Sequence, residues 1–385
     1  MSIAGKAAII GAGCSAFAEH WTKSAEDLVV DAVLEAYADA GIVEPRRQID
    51  AVFAGSLYAP MGPVHVTEAL KLYKPTTMVY NYCATGTEAL RAAVMAVASG
   101  AHETVLAVGF DKPKDRGVSG PSVNIRGVRE LPETPAGWFA LCAAPYFARF
   151  GAGREDLARI AVKNHHNGTL APKSFLKKEI TVEEALGARM IAWPFGLYDC
   201  AAQTDGAAAV IVTRRDLARN YHDRAVIVRA VASASAPHPH TDPAHDFLRW
   251  KPTVAAAEAA YAIAGISDPM RAIDVAQLHD CFTLTELLSY EDLGFIAKGA
   301  AREHIAAGTF ALGGELPVNT DGGLKSFGHP TAATGLRMIY ELWLQLRGEA
   351  PEDRRISTAD RGLGLTHNLG GYPGEMVAFV GIFGV

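Results

Sequence analysis

Cys83 lies in the segment Asn81-Tyr82-Cys83-Ala84-Thr85-Gly86, between an extended apolar run, Thr77 to Tyr80, and an amphipathic stretch that opens at Glu88 and closes at Gly100. That placement predicts a thiol on the first turn of a helix. The helix dipole and the unpaired N–H groups there favour a thiolate, so nucleophilicity near neutral pH is expected. Gly86 lets an acyl group approach the backbone closely. Taken alone, Cys83 favours the reading of a buried, inert thiol, so the chemistry must be sought in a group of residues. Three other segments place reactive side chains at strand ends: Leu278-His279-Asp280-Cys281-Phe282-Thr283, Gly322 to Pro330 with His329, and Thr366-His367-Asn368-Leu369-Gly370-Gly371. Thiols and imidazoles are the groups that nucleophilic and acid–base catalysis use.

Positioning these residues requires a sheet with helices on both faces. Strands are expected at Ala7 to Gly11, Ala51 to Ala54, Thr77 to Tyr80, Val105 to Phe110, Ala207 to Thr213, Val226 to Val231, Asp274 to Leu278, Gly364 to His367 and Met376 to Ile382. Helices are expected at Ser24 to Ala40, Thr85 to Ser99, Arg154 to Asn164, Val182 to Ile191, Val254 to Ala264 and Thr331 to Leu346. The tripeptide Ala84-Thr85-Gly86 recurs as Ala333-Thr334-Gly335, each copy beside a candidate catalytic residue, which suggests an internal duplication. The C-terminal ends of strands face the ligand crevice of open α/β sheets, where Cys83 and the three segments could converge.

At 385 residues the chain exceeds the usual single-core limit. It is 49% hydrophobic and 20% charged, with no apolar run as long as a membrane span. A net charge of -6 argues against a nucleic-acid partner. Lys173, Lys177 and Lys178 read as a solvated helix face. Five cysteines without a C-x-x-C pattern suggest a reducing compartment, and the C-terminal Ile382-Phe383-Gly384-Val385 is no peroxisomal address, so a cytoplasmic setting is expected.

Cys-x-Thr-Gly at 83 to 86, His-Asp-Cys-Phe at 279 to 282, Gly-His-Pro at 328 to 330 and His-Asn-x-Gly-Gly at 367 to 371 occur in the order found in thiolases. The chain resembles that superfamily over essentially its whole length, and within it the sterol-carrier-protein-type thiolases, in which His-Asp-Cys-Phe carries the second thiol. The resemblance implies a duplicated five-layered α/β/α/β/α fold. Residues 1–111 and 205–222 would form the N-terminal half, 112–204 an inserted loop domain and 223–385 the C-terminal half. It implies an acyl-CoA C-acyltransferase with Cys83 as acyl carrier, His329 as acceptor of its proton and Cys281 as the acid–base thiol. His329 and a water held by His279 would meet the enolate oxygen, and the N–H groups of Cys83 and Gly370 the thioester oxygen. Ser233 and Ser235 would contact CoA. Acyl-CoA and CoA would be substrates, with no permanently bound cofactor and no metal; a homodimer or homotetramer is implied, as is a small OB-fold, zinc-containing partner in some relatives. Thr331-Ala332 departs from the family's residue-then-glycine pattern after Gly-His-Pro, which bears on substrate size.

Other readings concern other residues or chemistry. Gly11 to Ala16 approaches a dinucleotide fingerprint, with Glu35 as a nominal ribose acid, yet a tight strand-to-helix turn explains it as well. His238, His240, Asp242, His245 and Asp246 could suggest a metal site, but the prolines between them favour a loop near the cofactor entrance. A retro-aldol lyase acting on a β-hydroxyacyl-CoA and a catalytically weak assembly subunit are the alternatives to acyl transfer.

Overall fold

The structure, a computed structural model, describes residues 3–59, 61–117, 134–236, 242, 245–357 and 361–385. Its strands are β1 (Ala7–Cys14), β2 (Ala51–Gly55), β3 (Thr76–Met78), β4 (Thr104–Asp111), β5 (Met190–Ala192), β6 (Phe195–Gly196), β7 (Gly206–Arg214), β8 (Val226–Ser235), β9 (Val275–Gln277), β10 (Leu363–Tyr372) and β11 (Glu375–Gly384). Nine of them form one mixed sheet in the order β3-β2-β4-β7-β1-β8-β11-β10-β9, and β5 pairs only with β6. The sheet has two halves joined by a short antiparallel pairing, Ala8 with Ile227 and Ile9 with Val226.

Strand β4 is apolar along nearly its whole length because both faces are covered, and so is β7. Successive residues serve opposite layers. Val105 and Ala107 pack with the Thr85–Ala98 and Thr334–Arg347 helices, whereas Leu106 and Val108 pack with the Ala25–Ala40 helix. On the other half of the sheet, Ala378, Val380 and Ile382 face the Lys251–Ala264 and Thr283–Asp292 helices. The result is five layers: one outer helical layer, the first half-sheet, a central pair of helices, the second half-sheet and a second outer layer. The two central helices are those opened by the repeated Ala-Thr-Gly. Their shared position brings the Cys83 turn and the Gly-His-Pro turn together.

Between residues 112 and 204 the described chain gives no strand to the main sheet; it forms the Pro135–Phe150, Arg154–Thr169 and Val182–Gly187 helices and the β5–β6 hairpin. The helix expected from Val182 to Ile191 stops at Gly187, and its last residues instead supply β5. Pro135–Phe150 is a helix that the sequence did not suggest. Its Phe139, Cys142, Ala143 and Tyr146 form a buried stripe at helical spacing, and Pro145 lies inside it.

Two other expectations change. Lys173 is in no helix: its ammonium group meets Glu35 at 2.5 Å and the Cys14 carbonyl at 2.6 Å, 4.7 Å above the Tyr340 ring. Glu35 also accepts the Cys14 N–H at 3.0 Å, so it staples the first helix to β1 and holds no ribose. A Cβ at Gly13 would come within 2.1 Å of the Ala32 carbonyl, so close helix–strand packing accounts for that glycine pattern.

Candidate active site

Cys83 lies immediately before Ala84, the residue that caps the Thr85–Ala98 helix, so the thiol precedes the first turn rather than occupying it. The turn is tight. Tyr82 has φ +50, unusual for a bulky residue, and its hydroxyl is anchored on Glu375 across the chain. The Thr85 hydroxyl donates to the Tyr82 carbonyl at 2.6 Å and accepts the Asn81 N–H at 2.9 Å, closing the turn around the cysteine.

The Gly-His-Pro turn is built the same way in the second half. The Thr334 hydroxyl lies 3.1 Å from the Pro330 carbonyl and 2.7 Å from His329 Nδ1. Donating to the carbonyl, the hydroxyl accepts from His329, which fixes the proton on Nδ1 and leaves the Nε2 lone pair free. His329 N–H is held by the Ala202 carbonyl at 2.8 Å. The two turns meet at Ala332, whose carbonyl would lie 2.4 Å from a Cβ on Gly86 and 2.2 Å from one on Gly109. Only glycine at both positions permits that approach.

Asp111 locks this junction. Its carboxylate accepts the Ser56 hydroxyl at 2.7 Å, the N–H groups of Leu57 and Tyr58 at 2.8 and 2.7 Å, and the Ala332 N–H at 2.7 Å. The loop after β2 and the residues after His329 therefore share one buried anchor. Asp280, between His279 and Cys281, plays a parallel part by accepting the N–H groups of Leu324 and Lys325 at 2.6 and 3.0 Å. Burial, with Glu286 nearby, raises the Asp280 carboxyl to about 7.

The other imidazole has the opposite arrangement. Asn368 Nδ2 lies 2.9 Å from His279 Nδ1, and the Thr87 hydroxyl lies 3.0 Å from Asn368 Oδ1. The amide donates to Nδ1, so the His279 proton resides on Nε2. The sulfur of Cys83 and one ring nitrogen each of His279 and His329 lie within 4.8 Å of one another. With each Nδ1 committed elsewhere, Nε2 is the nitrogen each ring offers: a proton acceptor on His329, a donor on His279.

Burial dominates the electrostatics. It lowers His329 to about 3, with Arg337 acting in the same direction, and holds His279 well below its ordinary value. Cys83 is half-buried, yet desolvation pushes its thiol up to about 12; the Gly371 N–H opposes this, Asp111 adds to it and Cys83's own N–H opposes it. The resting group is a protonated thiol beside neutral imidazoles, which corrects the expectation of a stabilised thiolate. The dipole of one helix end is too weak to offset loss of solvent.

Cys281 is held well above the ordinary thiol range by burial, with its sulfur 3.5 Å from the Thr285 hydroxyl, and it is near enough to Cys83 that charge on one opposes charge on the other. The backbone N–H of Gly371, one residue beyond Gly370, lies near enough to the Cys83 sulfur to favour its charged form. Gly370 passes directly over the Cys83 turn: a Cβ there would come within 2.6 Å of the Asn81 carbonyl. Ser233 and Ser235 are exposed at the end of β8, in register through β11 with Asn368 and Gly370, about two strand spacings or roughly 10 Å away. His238 and His240 lie outside the described residues; Asp242 pairs with Lys251, and Asp246 accepts the Leu248 N–H at 3.0 Å. Thr334, Asn368, Thr87 and Asp111 were not singled out as site residues from the sequence, although Asn368 and Thr334 stand inside the motifs noted there.

The profile of "Thiolase, N-terminal domain" matches residues 7–192, and that of "Thiolase C-terminal domain-like" residues 233–381. An acetyl-CoA acetyltransferase of Methanothermobacter thermautotrophicus is 36% identical over 384 residues, covering 97% of this chain and 98% of that one. Sterol carrier protein 2 of Gallus gallus is 33% identical, over 94% of this chain and 69% of that protein. Among solved structures, an Ltp2-ChsH2(DUF35) aldolase has a TM-score of 0.86 at 26% identity, covering 100% of this chain and 99% of that one.

Proposed function

The chain belongs to the thiolase family, and from that premise we propose that it is an acyl-CoA C-acyltransferase in which Cys83 carries the acyl group between CoA and an acyl-CoA enolate. The observation that carries this reading is the Cys83 sulfur with one ring nitrogen each of His279 and His329, all within 4.8 Å, each imidazole held at Nδ1 by a buried side chain. In the first step His329 Nε2 takes the Cys83 proton as the sulfur attacks the thioester carbonyl. The developing oxyanion is met by the N–H groups of the Cys83 and Gly370–Gly371 turns, and the proton leaves with the CoA thiol. In the second, Cys281, after passing its own proton to solvent, removes the α-proton of another acyl-CoA as a thiolate, and His279 Nε2–H donates to the enolate oxygen. The enolate carbon then attacks the acyl-Cys83 carbonyl and the sulfur departs. Thiolysis of a 3-oxoacyl-CoA is the same sequence reversed.

Substrates are CoA thioesters, with no resident cofactor. Mixing the protein with acetyl-CoA and measuring its intact mass tests the reading: an acetyl adduct on Cys83, absent in Cys83→Ala, is expected. No adduct in the wild-type chain, alone or with an OB-fold partner, refutes it.

A second reading, a retro-aldol lyase working with an OB-fold partner, is favoured by the likeness to the aldolase structure. Such an activity survives Cys83→Ala, whereas acyl transfer does not.

A further inference from the structure

We propose that Cys83, His279 and His329 also form a binding site for a thiophilic divalent cation of the zinc class, and that occupying it reversibly blocks the nucleophile. Three protein ligands with one position left open is the donor set of many zinc centres, and one sulfur with two imidazoles suits a borderline-soft ion. A tetrahedral zinc ion, with Zn–S about 2.3 Å and Zn–N about 2.0–2.1 Å, sets its ligand atoms roughly 3.3–3.6 Å apart. The three atoms here already lie within 4.8 Å of one another, and rotation about the single side-chain torsion of Cys83 moves the sulfur. Cys83 is half-buried while both histidines are buried, so an ion arriving from solvent meets the sulfur first.

The surrounding hydrogen bonds suit ligation. Metal-bound histidines are oriented by a partner on the ring nitrogen that does not bind. Here Thr334 Oγ1 holds His329 Nδ1 at 2.7 Å, and Asn368 holds His279 Nδ1 at 2.9 Å. His329 already has its Nε2 lone pair free. His279 frees its own once the Asn368 amide turns over, placing Oδ1 against Nδ1–H. Thr87 accommodates that turn: its hydroxyl lies 2.9 Å from the Ala84 carbonyl as well as 3.0 Å from Asn368, so it can donate to the carbonyl and accept from the amide. On binding, the sulfur–metal bond forms as the thiol proton leaves to solvent. The complex of one thiolate and two neutral imidazoles carries one net positive charge, and the buried Asp111 carboxylate, in no ion pair among the described residues, lies against the turn that carries His329.

The test is a titration of the metal-free full chain with Co2+, followed by competition with Zn2+. One ion per chain is expected, with a thiolate-to-cobalt charge-transfer band that disappears after Cys83 is alkylated in the wild-type protein and that is absent in Cys83→Ala. Thr334→Val, which removes the partner of His329, should weaken Co2+ binding about 10–100-fold, and chelation should restore acylation of Cys83. The inference fails if the band persists with Cys83 blocked, if no saturable one-to-one binding occurs with Cys83 free, or if Thr334→Val leaves affinity unchanged. The three Co2+-binding readouts are independent of acyl transfer, whose own failure appears as a missing acyl adduct in metal-free protein.

Discussion

Replacing Thr334 by valine keeps the shape of a fully buried side chain and removes the one acceptor for His329 Nδ1–H, 2.7 Å away. Pro330 retains the N–H groups of Ala333 and Thr334 on its carbonyl at 2.9 and 3.1 Å, so the backbone turn has no new orphan. The imidazole does. An unsatisfied buried donor costs about 1–3 kcal/mol, and the ring escapes that cost by moving its proton to Nε2, which turns the proton toward Cys83 instead of the lone pair. At 1.36 kcal/mol per factor of ten, the competent tautomer falls by roughly 5- to 150-fold, and single-turnover acetylation of Cys83 by acetyl-CoA should slow by the same factor. Thr334→Ser restores both hydrogen bonds and should recover most of the rate. The nitrogen-15 shifts of His329 report the tautomer directly. An acetylation rate in Thr334→Val within about twofold of wild type would remove tautomer control from the argument.

The raised thiol makes alkylation of Cys83 by iodoacetamide climb with pH through the ordinary thiol range instead of levelling off near 9, since the thiolate fraction keeps increasing toward about 12; a plateau near pH 8 contradicts the desolvation assigned to the site. Gly109→Ala forces a methyl to within 2.2 Å of the Ala332 carbonyl, so it should cost about 1–3 kcal/mol in denaturant titrations and slow acetylation as well, because the His329 turn must move. Unchanged acetylation in a folded variant counts against the junction described. Acid sensitivity has a definite sign: His329 and His367 are lowered by burial to about 3, so the unfolded chain binds protons first as pH falls below about 6.5. The contribution of these two imidazoles to stability is full above that pH and drops by about 1.4 kcal/mol per pH unit for each down to about 3, while Asp280, held up to about 7 by burial, contributes with the opposite sign. NMR titration of the two rings checks it: both should stay neutral from pH 7.5 to 5.5 in the folded chain, and protonation of either near 6.5 refutes it.

Hydrophobic alternation and glycine-bounded runs made most main-sheet strands and the two central helices legible, because both faces of β4 and β7 are buried and their composition reports it directly. The reactive residues were legible because each stands in a short motif at a strand end. The positioning groups were not. Threonine, asparagine and aspartate occur throughout the sequence, and nothing local distinguishes Thr334, whose hydroxyl reaches His329, from a solvated threonine. Pro145 hid the Pro135–Phe150 helix, since proline normally breaks a helical pattern and only packing of Phe139, Cys142 and Tyr146 against the core overrides it. Helical apolar spacing continued past Gly187 to Ile191, while the backbone turned there into a hairpin. The acidity of Cys83 is not legible for a related reason: a helix terminus is visible in sequence, whereas the desolvation that outweighs it is a property of the assembled layers.

That desolvation constrains how Cys83 would act in the proposed reaction. With burial holding the thiol high and His329 low, a free thiolate–imidazolium pair lies well uphill of the neutral pair. A preformed ion pair is therefore a minor species, and under the proposed acyl transfer proton transfer to His329 is coupled to attack on the carbonyl, where charge passes from sulfur to oxygen. The N–H groups at the Cys83 and Gly371 turns then receive charge that exists only once the new bond begins to form. Donors that act at that stage lower the barrier without stabilising the resting enzyme, so the backbone around Cys83 has to be rigid and already in place. The Thr85 and Thr334 hydroxyls, the Asp111 anchor and the glycines beneath Ala332 hold it there.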